Sequence, residues 1–142
     1  MILAELGMDR ITLGNIKSRD NFRIMEPMLH KAWDDHGLLV QRILRRERLT
    51  NVYTAYALLF TFSHSVALLQ HELDESVASI REMKLLGEGL NGDQIEDIGR
   101  RGAYAQDLTH RLDDVVDHVR TTYLPAVEEG INALSRFRPF ER

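Results

Sequence analysis

The sequence contains no cysteine, and this absence removes several kinds of chemistry at once. Without thiols there is no disulfide framework, no zinc or iron-sulfur site with cysteine ligands, and no cysteine nucleophile. A chain without cysteine suits either side of a membrane, so composition does not indicate the redox compartment. Histidine, present six times, is the main residue type left for special chemistry.

Proline and glycine are also scarce. No proline occurs between Pro27 and Pro125, and Gly37 is the only glycine between Met28 and Leu86. Such a stretch lacks the residues that end helices or form hairpins, and it shows no alternating strand pattern. The sequence therefore predicts an all-α fold.

Charge and hydropathy limit the partners. The chain has 18 basic and 22 acidic residues, which argues against a dedicated binder of nucleic-acid backbones. The most apolar window, residues 55–69, is too short and too polar to span a bilayer, and the N-terminus shows no signal-peptide pattern. We expect a cytoplasmic protein that binds neither membranes nor nucleic acid. Its 18 basic residues divide equally between residues 1–71 and 72–142, but 15 of its 22 acidic residues lie in 72–142, so the first half has a net charge of +2 and the second of −6.

A single helical domain accounts for the whole length. The predicted parts are an N-terminal segment (1–19), helix A (20–48), helix B (50–86), helix C (93–123) and a short C-terminal helix (126–137). A glycine-rich stretch, residues 87–92, predicts a tight connection between helices B and C. Asp93 is the expected N-cap of helix C, with Glu96 completing a capping box. Pro125 is expected to end or kink helix C.

Helices B and C each carry a heptad seam, in which core positions alternate by three and four residues. The seam runs from Val52 to Ile80 in helix B and from Ile95 to Tyr123 in helix C. Gly102 and Ala105 predict a close approach of the two helices near their connection. The apolar residues of helix B extend beyond this seam, so we expect an up-down bundle in which two copies of the antiparallel hairpin complete a four-helix core.

No metal or cofactor is predicted, although several side chains were natural candidates. His110, Asp114 and His118 share one helix face at spacings that suit a metal, but that face points away from the seam. His64 is interpreted as a hydrogen-bonded core histidine, with a haem- or ligand-binding bundle as the alternative. The basic run at residues 42–48 is interpreted as a solvated helix face or a contact for an acidic partner.

His71 is the one residue with a pattern that suggests reactivity. It is predicted to lie beside the seam of helix B, with Glu72 as the adjacent carboxylate. A neutral imidazole is a nucleophile near pH 7, and a neighbouring carboxylate can orient it or accept its proton.

The stretch from His71 to Ile80 (HELDESVASI) resembles the phosphoacceptor box of the dimerisation and histidine-phosphotransfer hairpin of bacterial sensor histidine kinases. The later segments Asp107 to Thr109 and Asp113 to Arg120 are similar to the end of that hairpin's second helix, and the resemblance covers about residues 50–123. It implies that His71 is the phosphorylated residue and Glu72 its helper.

Two positions depart from that family. Ser76 stands where the family has a proline, and Asp74 stands where a basic or polar residue is usual. No nucleotide-binding motif occurs in the sequence, so the chain is expected to be at most a phosphoacceptor rather than an enzyme. The resemblance implies a homodimer that docks a response-regulator-like partner. The alternatives are an oligomeric adaptor without phosphotransfer and a ligand-binding bundle.

Overall fold

The computed structural model describes residues 1–25, 28, 30–85 and 89–135. No strand occurs within these ranges, and the prediction of an all-α fold is confirmed. The helices are α1 (Ile2–Gly14), α2 (Asn21–Ile24), α3 (Lys31–Ile43), α4 (Arg46–Leu85), α5 (Gly92–His118) and α6 (Leu124–Ser135), with a π-helical turn at Val119–Tyr123 between α5 and α6.

Helix α4 is the longest element, and its 40 residues span about 60 Å at the rise of an α-helix. It packs along α5 and α6, which run in the opposite direction. Three contacts show this order: Gly130 approaches Ala55, the ring of Tyr123 lies 5.2 Å from that of Phe62, and Tyr104 bonds to Glu72. Helix α1 packs on α6 and closes the same end of the molecule.

The hydrophobic core lies at one end of α4. Its fully buried side chains come from α1, the first half of α4, α5, the π-helical turn and α6: Leu6, Leu13, Val52, Leu59, Phe62, Leu108, Leu112, Val119 and Val127. The other end is a two-helix arm, formed by residues 67–85 of α4 and 92–104 of α5, in which no described residue is buried. We call it the distal arm.

The predicted helix A differs from the structure, which breaks it in two places. Met25, after α2, and Leu44, after α3, both adopt extended backbone, and α4 begins at Arg46. The second break places the Leu44 side chain in the core, where it is 8% exposed. If the helix continued through this point, polar neighbours of Leu44 would also lie against the core. The bend buries the Leu44 side chain alone, and the free energy of that burial offsets the helical hydrogen bonds lost at the break.

The start of helix C was predicted two residues too late. Asn91, rather than Asp93, is the N-cap of α5: its side chain accepts a hydrogen bond from the Gln94 backbone N–H at 2.8 Å. The Gln94 side chain accepts in return from the Asn91 backbone N–H at 2.9 Å. The capping box is therefore one of amides rather than carboxylates.

Pro125 neither ends nor interrupts the helical path. A proline inside an α-helix lacks an N–H and collides with the carbonyl four residues earlier. Here the π-helical turn Val119–Tyr123 precedes it, and Pro125 is the second residue of α6. The wider turn accommodates the proline while Val119 and Tyr123 stay in the core.

The closest helix approach is at Gly130, not at Gly102 as predicted. A Cβ at Gly130 would lie 3.0 Å from the Ala55 Cβ and 3.5 Å from the Leu6 Cδ1, whereas a Cβ at Gly102 would meet nothing within 4 Å. The prediction for Gly102 is wrong because the helices are tightly packed at the core end and loosely packed in the distal arm. Gly130 lets α6 pack closely against α4 and α1 together.

Basic residues of the first half of the sequence form ion pairs with acidic residues of the second half within one chain. Arg19 contacts Asp113 of α5 at 3.1 Å, and Arg23 of α2 contacts Asp74 of α4 at 2.8 Å. All four side chains are about half exposed, so each pair contributes at most about 1 kcal/mol. These pairs hold the α2 segment over the seam between α4 and α5.

Alanine substitutions at Gly102 and Gly130 should change the stability of the fold differently, because the helices are loosely packed at the first position and tightly packed at the second. Gly102→Ala should raise the free energy of unfolding by about 0.5 to 1 kcal/mol, because alanine favours a helix and has open space there. Gly130→Ala should give no such gain, and Gly130→Val should lower stability by about 1 to 3 kcal/mol through overpacking. Urea unfolding followed by circular dichroism measures all three, and an equal gain from both alanines would contradict the packing described.

Candidate functional site

His71 lies at the start of the distal arm on the outer side of α4. Its side chain is 68% exposed, and its Nε2 lies 3.2 Å from an Oε1 atom of Glu75, one helical turn later. The Glu75 side chain is 71% exposed. The structure therefore offers an imidazole that is open to solvent and has one carboxylate on a ring nitrogen.

The carboxylate beside His71 is not the one predicted. Glu72, the predicted helper, faces α5 instead, where it accepts a hydrogen bond from the Tyr104 hydroxyl at 2.6 Å. That hydrogen bond raises the pKa of Tyr104 above its ordinary value. Adjacent residues of a helix point about 100° apart, whereas residues four apart share a face. Glu75 therefore shares the face of α4 that carries His71, whereas Glu72 lies on the face that contacts α5.

His71 belongs to a longer stripe of exposed residues on α4. The members are spaced alternately by four and three residues, and all are exposed: Tyr53, Ala57, Phe60, His64, Ala67 and His71. We call this set the outer stripe. Phe60 is 68% exposed, and its ring stacks at 6.1 Å on that of His64. The stripe is a second heptad seam, which faces solvent on the side away from α5 and α6.

The interpretation of His64 as a core histidine is wrong. Its side chain is exposed in the outer stripe. In this part of α4 the side chains that face the core are those of Phe62 and Val66, which are buried. Because neighbouring side chains of a helix point in different directions, the polar residues of the apolar window at 55–69 differ in burial: His64 is exposed, and Ser63 is half buried.

The histidines of α5 lie on its outer face. His110, Asp114 and His118 are all exposed on the outer face, as predicted. Asp107, three residues before His110, contacts Arg111 at 3.0 Å. Within the part of the chain that the structure describes, no group of three or more His, Asp or Glu side chains is placed to hold a metal ion.

The basic run lies at the junction between α3 and α4. Arg42, Arg45 and Arg46 are exposed, while Leu44 between them is buried. The run therefore surrounds a bend rather than forming one helix face.

A buried polar cluster, not predicted from the sequence, joins α1 to α3 and α4. The Glu5 carboxylate accepts hydrogen bonds from the backbone N–H groups of Ala32 at 2.8 Å and Trp33 at 3.3 Å, and from the Tyr56 hydroxyl at 2.7 Å. Glu5 thus caps the N-terminus of α3 from another helix, where a negative charge is favoured. The indole of Trp33 stacks on the Tyr56 ring at 4.6 Å.

His30 and Asp9 form the second half of this cluster. The His30 Nε2 lies 3.5 Å from the Asp9 Oδ2, and both side chains are buried, with exposed fractions of 14% and 8%. The interaction with the Asp9 carboxylate raises the pKa of His30 and outweighs burial, which lowers it; the charges of Glu5 and Asp34 act in the same direction as Asp9.

Tyr56 is held as a hydrogen-bond donor. Burial raises the pKa of its hydroxyl far above the ordinary value, and the hydrogen bond to Glu5 raises it further. The hydroxyl therefore keeps its proton, and its hydrogen bond to Glu5, at and well above neutral pH.

Part of this cluster had a signal in the sequence. Glu5 and Asp9 are spaced four apart in a helix whose other inward positions, Ile2, Leu6 and Leu13, are apolar. Two acidic residues on that face indicate buried carboxylates that need partners. Nothing local identifies the partners, because His30 and Tyr56 lie 21 and 47 positions beyond Asp9 in the sequence.

Helix α4 has the length and composition of a membrane-spanning helix. One 18-residue window has a mean hydropathy of 1.4 and is 33% buried in the fold. Core helices of soluble proteins meet the same criterion, so this is weak support for a membrane span.

Comparisons of the chain with profiles of known protein families, with curated proteins and with solved structures found no match. The resemblance to the sensor-kinase hairpin therefore stays a prediction that depends on the sequence of residues 50–123 alone.

The His30–Asp9 pair predicts a specific pH dependence of stability. The pKa of His30 is raised above its unfolded value of 6.5, so its contribution is fully present below pH 6.5 and is lost as pH rises through the raised value. His30→Gln should remove this contribution. The difference in unfolding free energy between the original chain and His30→Gln, measured by urea titration at several pH values, should shrink as pH rises from about 6. A difference that grows with pH would contradict the pairing.

Proposed function

We propose that this chain is a helical interaction module of the signalling type, whose outer stripe docks a protein partner and whose His71 accepts a phosphoryl group. One observation carries the proposal: an imidazole that is 68% exposed lies in an exposed heptad stripe with a carboxylate at 3.2 Å from its Nε2. Its accessibility lets a partner's phosphate approach, and its position on a helix fixes where the partner must dock.

The contact with Glu75 selects the nucleophilic atom. A carboxylate only accepts hydrogen bonds, so its position beside Nε2 favours the neutral tautomer that carries its proton there. The lone pair is then on Nδ1. In the proposed step Nδ1 forms a bond to phosphorus while the bond from phosphorus to the donor oxygen breaks, and the donor's carboxylate leaves with that electron pair. The positive charge formed on the ring faces Glu75, which stabilises it or accepts the Nε2 proton.

The phosphoryl donor must come from outside the chain, because no nucleotide-binding motif occurs in the sequence. The resemblance implies a response-regulator-like partner, whose phosphorylated aspartate is an acyl phosphate. A small acyl phosphate supplies the same leaving group and replaces the partner in a test. The expected setting is the cytoplasm.

Phosphorylation should depend on His71 and Glu75 and not on Glu72. Incubation with acetyl phosphate should give an acid-labile, base-stable adduct, seen by ³¹P NMR and assigned to Nδ1 by ¹H–¹⁵N correlation. His71→Ala should abolish it. Glu75→Gln should slow its formation roughly tenfold or more, since it removes the group that fixes the tautomer. Glu72→Gln should leave the rate unchanged, because that side chain contacts Tyr104.

Two other exposed histidines provide matched controls. His64→Ala and His110→Ala should keep the full adduct, because neither residue has a carboxylate like Glu75 on a ring nitrogen in the described contacts. Loss of the adduct in either control, or an adduct that survives His71→Ala, would exclude His71 as the acceptor. Absence of any adduct with acetyl phosphate and with phosphoramidate would leave only the second candidate.

The second candidate is an oligomeric adaptor without phosphotransfer, in which the outer stripe binds a second copy of the chain. The exposure of Phe60 favours it, because a large aromatic side chain in contact with water costs free energy that burial against a partner would recover. The spacing of the stripe suits packing against another heptad helix.

A charged side chain at position 60 should weaken a dimer formed through the outer stripe. Phe60→Glu should shift the chain from dimer to monomer in sedimentation equilibrium, with a dissociation constant at least tenfold weaker. Ile95→Glu is the matched control, since Ile95 is similarly exposed at 59% but lies on α5, outside the stripe. Equal dimerisation of both variants would place the interface elsewhere, and a monomer at every concentration for the unmodified chain would exclude the second copy.

A further inference from the structure

The outer stripe extends along the whole of α4. At the same spacing of four and three residues it continues before Tyr53 and beyond His71 to the two ends of the helix, and every added residue is exposed: Arg46, Thr50, Asp74, Ala78, Arg81 and Leu85. We call the extended set the full stripe. Because α4 begins and ends at a stripe position, the spacing is the same when it is read from either end. Exposed heptad positions of this length have the spacing that packs against a second long helix.

The charges of the full stripe favour a second copy of the chain that runs in the opposite direction. In an in-register parallel pair each stripe residue would face its own counterpart, so Arg46, Asp74 and Arg81 would each meet a like charge. In an antiparallel pair that overlaps over the whole of α4, each of these three faces an uncharged residue. The net charges of the two ends agree with this orientation, since residues 42–48 include four basic and one acidic residue, whereas the distal arm includes seven acidic and four basic residues.

The sizes of the side chains favour the same orientation. Antiparallel overlap of the two helices places Tyr53 opposite Ala78 and His64 opposite Ala67, so that a large side chain meets a small one. A parallel pair would place each ring against its own counterpart and each alanine against an alanine. Crowded layers would then alternate with gaps along the interface, and both defects cost free energy.

We propose that two copies of the chain pair antiparallel along the full stripe, so that Phe60 of each copy covers His71 of the other. This inference rests on the second candidate function, in which the outer stripe binds a second copy, and it adds the orientation and position of that copy. The side chains of Phe60 and His71 are exposed in one chain, and contact between the two rings buries both. A paired chain then cannot present His71 to a phosphoryl donor, so self-association and phosphotransfer exclude each other.

Disulfide cross-linking tests the orientation, because the chain has no cysteine of its own. A tagged chain with Tyr53→Cys and an untagged chain with Ala78→Cys should form a mixed disulfide-linked dimer under mild oxidation, and neither variant should link to itself. In the antiparallel pair the two copies of position 53 lie about 37 Å apart along the helices. A disulfide requires Cα atoms within about 7 Å of each other. Non-reducing gel electrophoresis separates the mixed dimer from the self-linked ones by the tag.

The outcomes separate this proposal from the second candidate function. Self-linking of each variant would show a parallel pair and overturn the proposal. Absence of the mixed dimer, in folded variants and at concentrations where the unmodified chain is dimeric, would also overturn it, although the binding of a second copy would stand. A chain that is monomeric at every concentration would exclude both. Ile95→Cys mixed with Ala78→Cys is the matched control and should not link, since Ile95 is 59% exposed but lies on α5, outside the stripe.

Histidine modification tests whether the second copy covers His71. Carbethoxylation by diethyl pyrocarbonate, mapped by peptide mass spectrometry, should be slower at His71 by about tenfold or more in the dimer than in the monomer obtained by dilution at the same reagent concentration. His110 is the control, because it is exposed on α5 and its rate should not change. An equal rate at His71 in both states would overturn the proposal. This measurement needs no phosphoryl donor, so it decides the pairing even where no phosphohistidine adduct forms.

Discussion

The antiparallel packing of α4 against the nearly continuous α5 and α6 is the interaction on which the rest of the structure depends. It is tight at one end, where Gly130 lies against Ala55 and the rings of Phe62 and Tyr123 meet. It is loose at the other, where no described residue is buried. Because α4 is a single rigid helix, the well-packed end holds the distal arm in place and keeps the arm's surface available.

The two polar centres of the molecule differ in burial, and this difference decides what each can do. His71 and Glu75 are both exposed by more than two thirds, so their chemistry is open to a partner. His30, the N-cap of α3, and Asp9 of α1 are both buried, and the contact between them contributes to holding α3 on α1. The exposed pair is open to solvent, as the proposed phosphotransfer requires, and the buried pair suits a structural role between α1 and α3.

Much of the fold could be predicted because heptad spacing reports local burial. The seam of helix C was correct at Ala105, Leu112, Val116, Val119 and Tyr123, all of which are buried. The seam of helix B was likewise correct at Val52, Tyr56, Leu59 and Val66, which are buried. His64 lies outside that seam, and its interpretation as a core histidine was wrong because its side chain is exposed. The break at Leu44 and the π-helical turn before Pro125 both place side chains in a core formed with distant helices, and no local pattern contains those contacts. At the candidate site, the role of His71 stays a prediction, and the carboxylate in contact with it is that of Glu75, whereas Glu72 contacts Tyr104.

The central claim is that α4 has one face in the core and a second, apolar face open to partners. The absence of cysteine makes it directly measurable, since a single introduced thiol is then the only one in the chain. Thiol labelling of Phe60→Cys, His64→Cys and His71→Cys, at concentrations where the chain is monomeric, should be at least a hundredfold faster than labelling of Leu59→Cys and Val66→Cys. Similar rates at the two sets of positions would contradict the account.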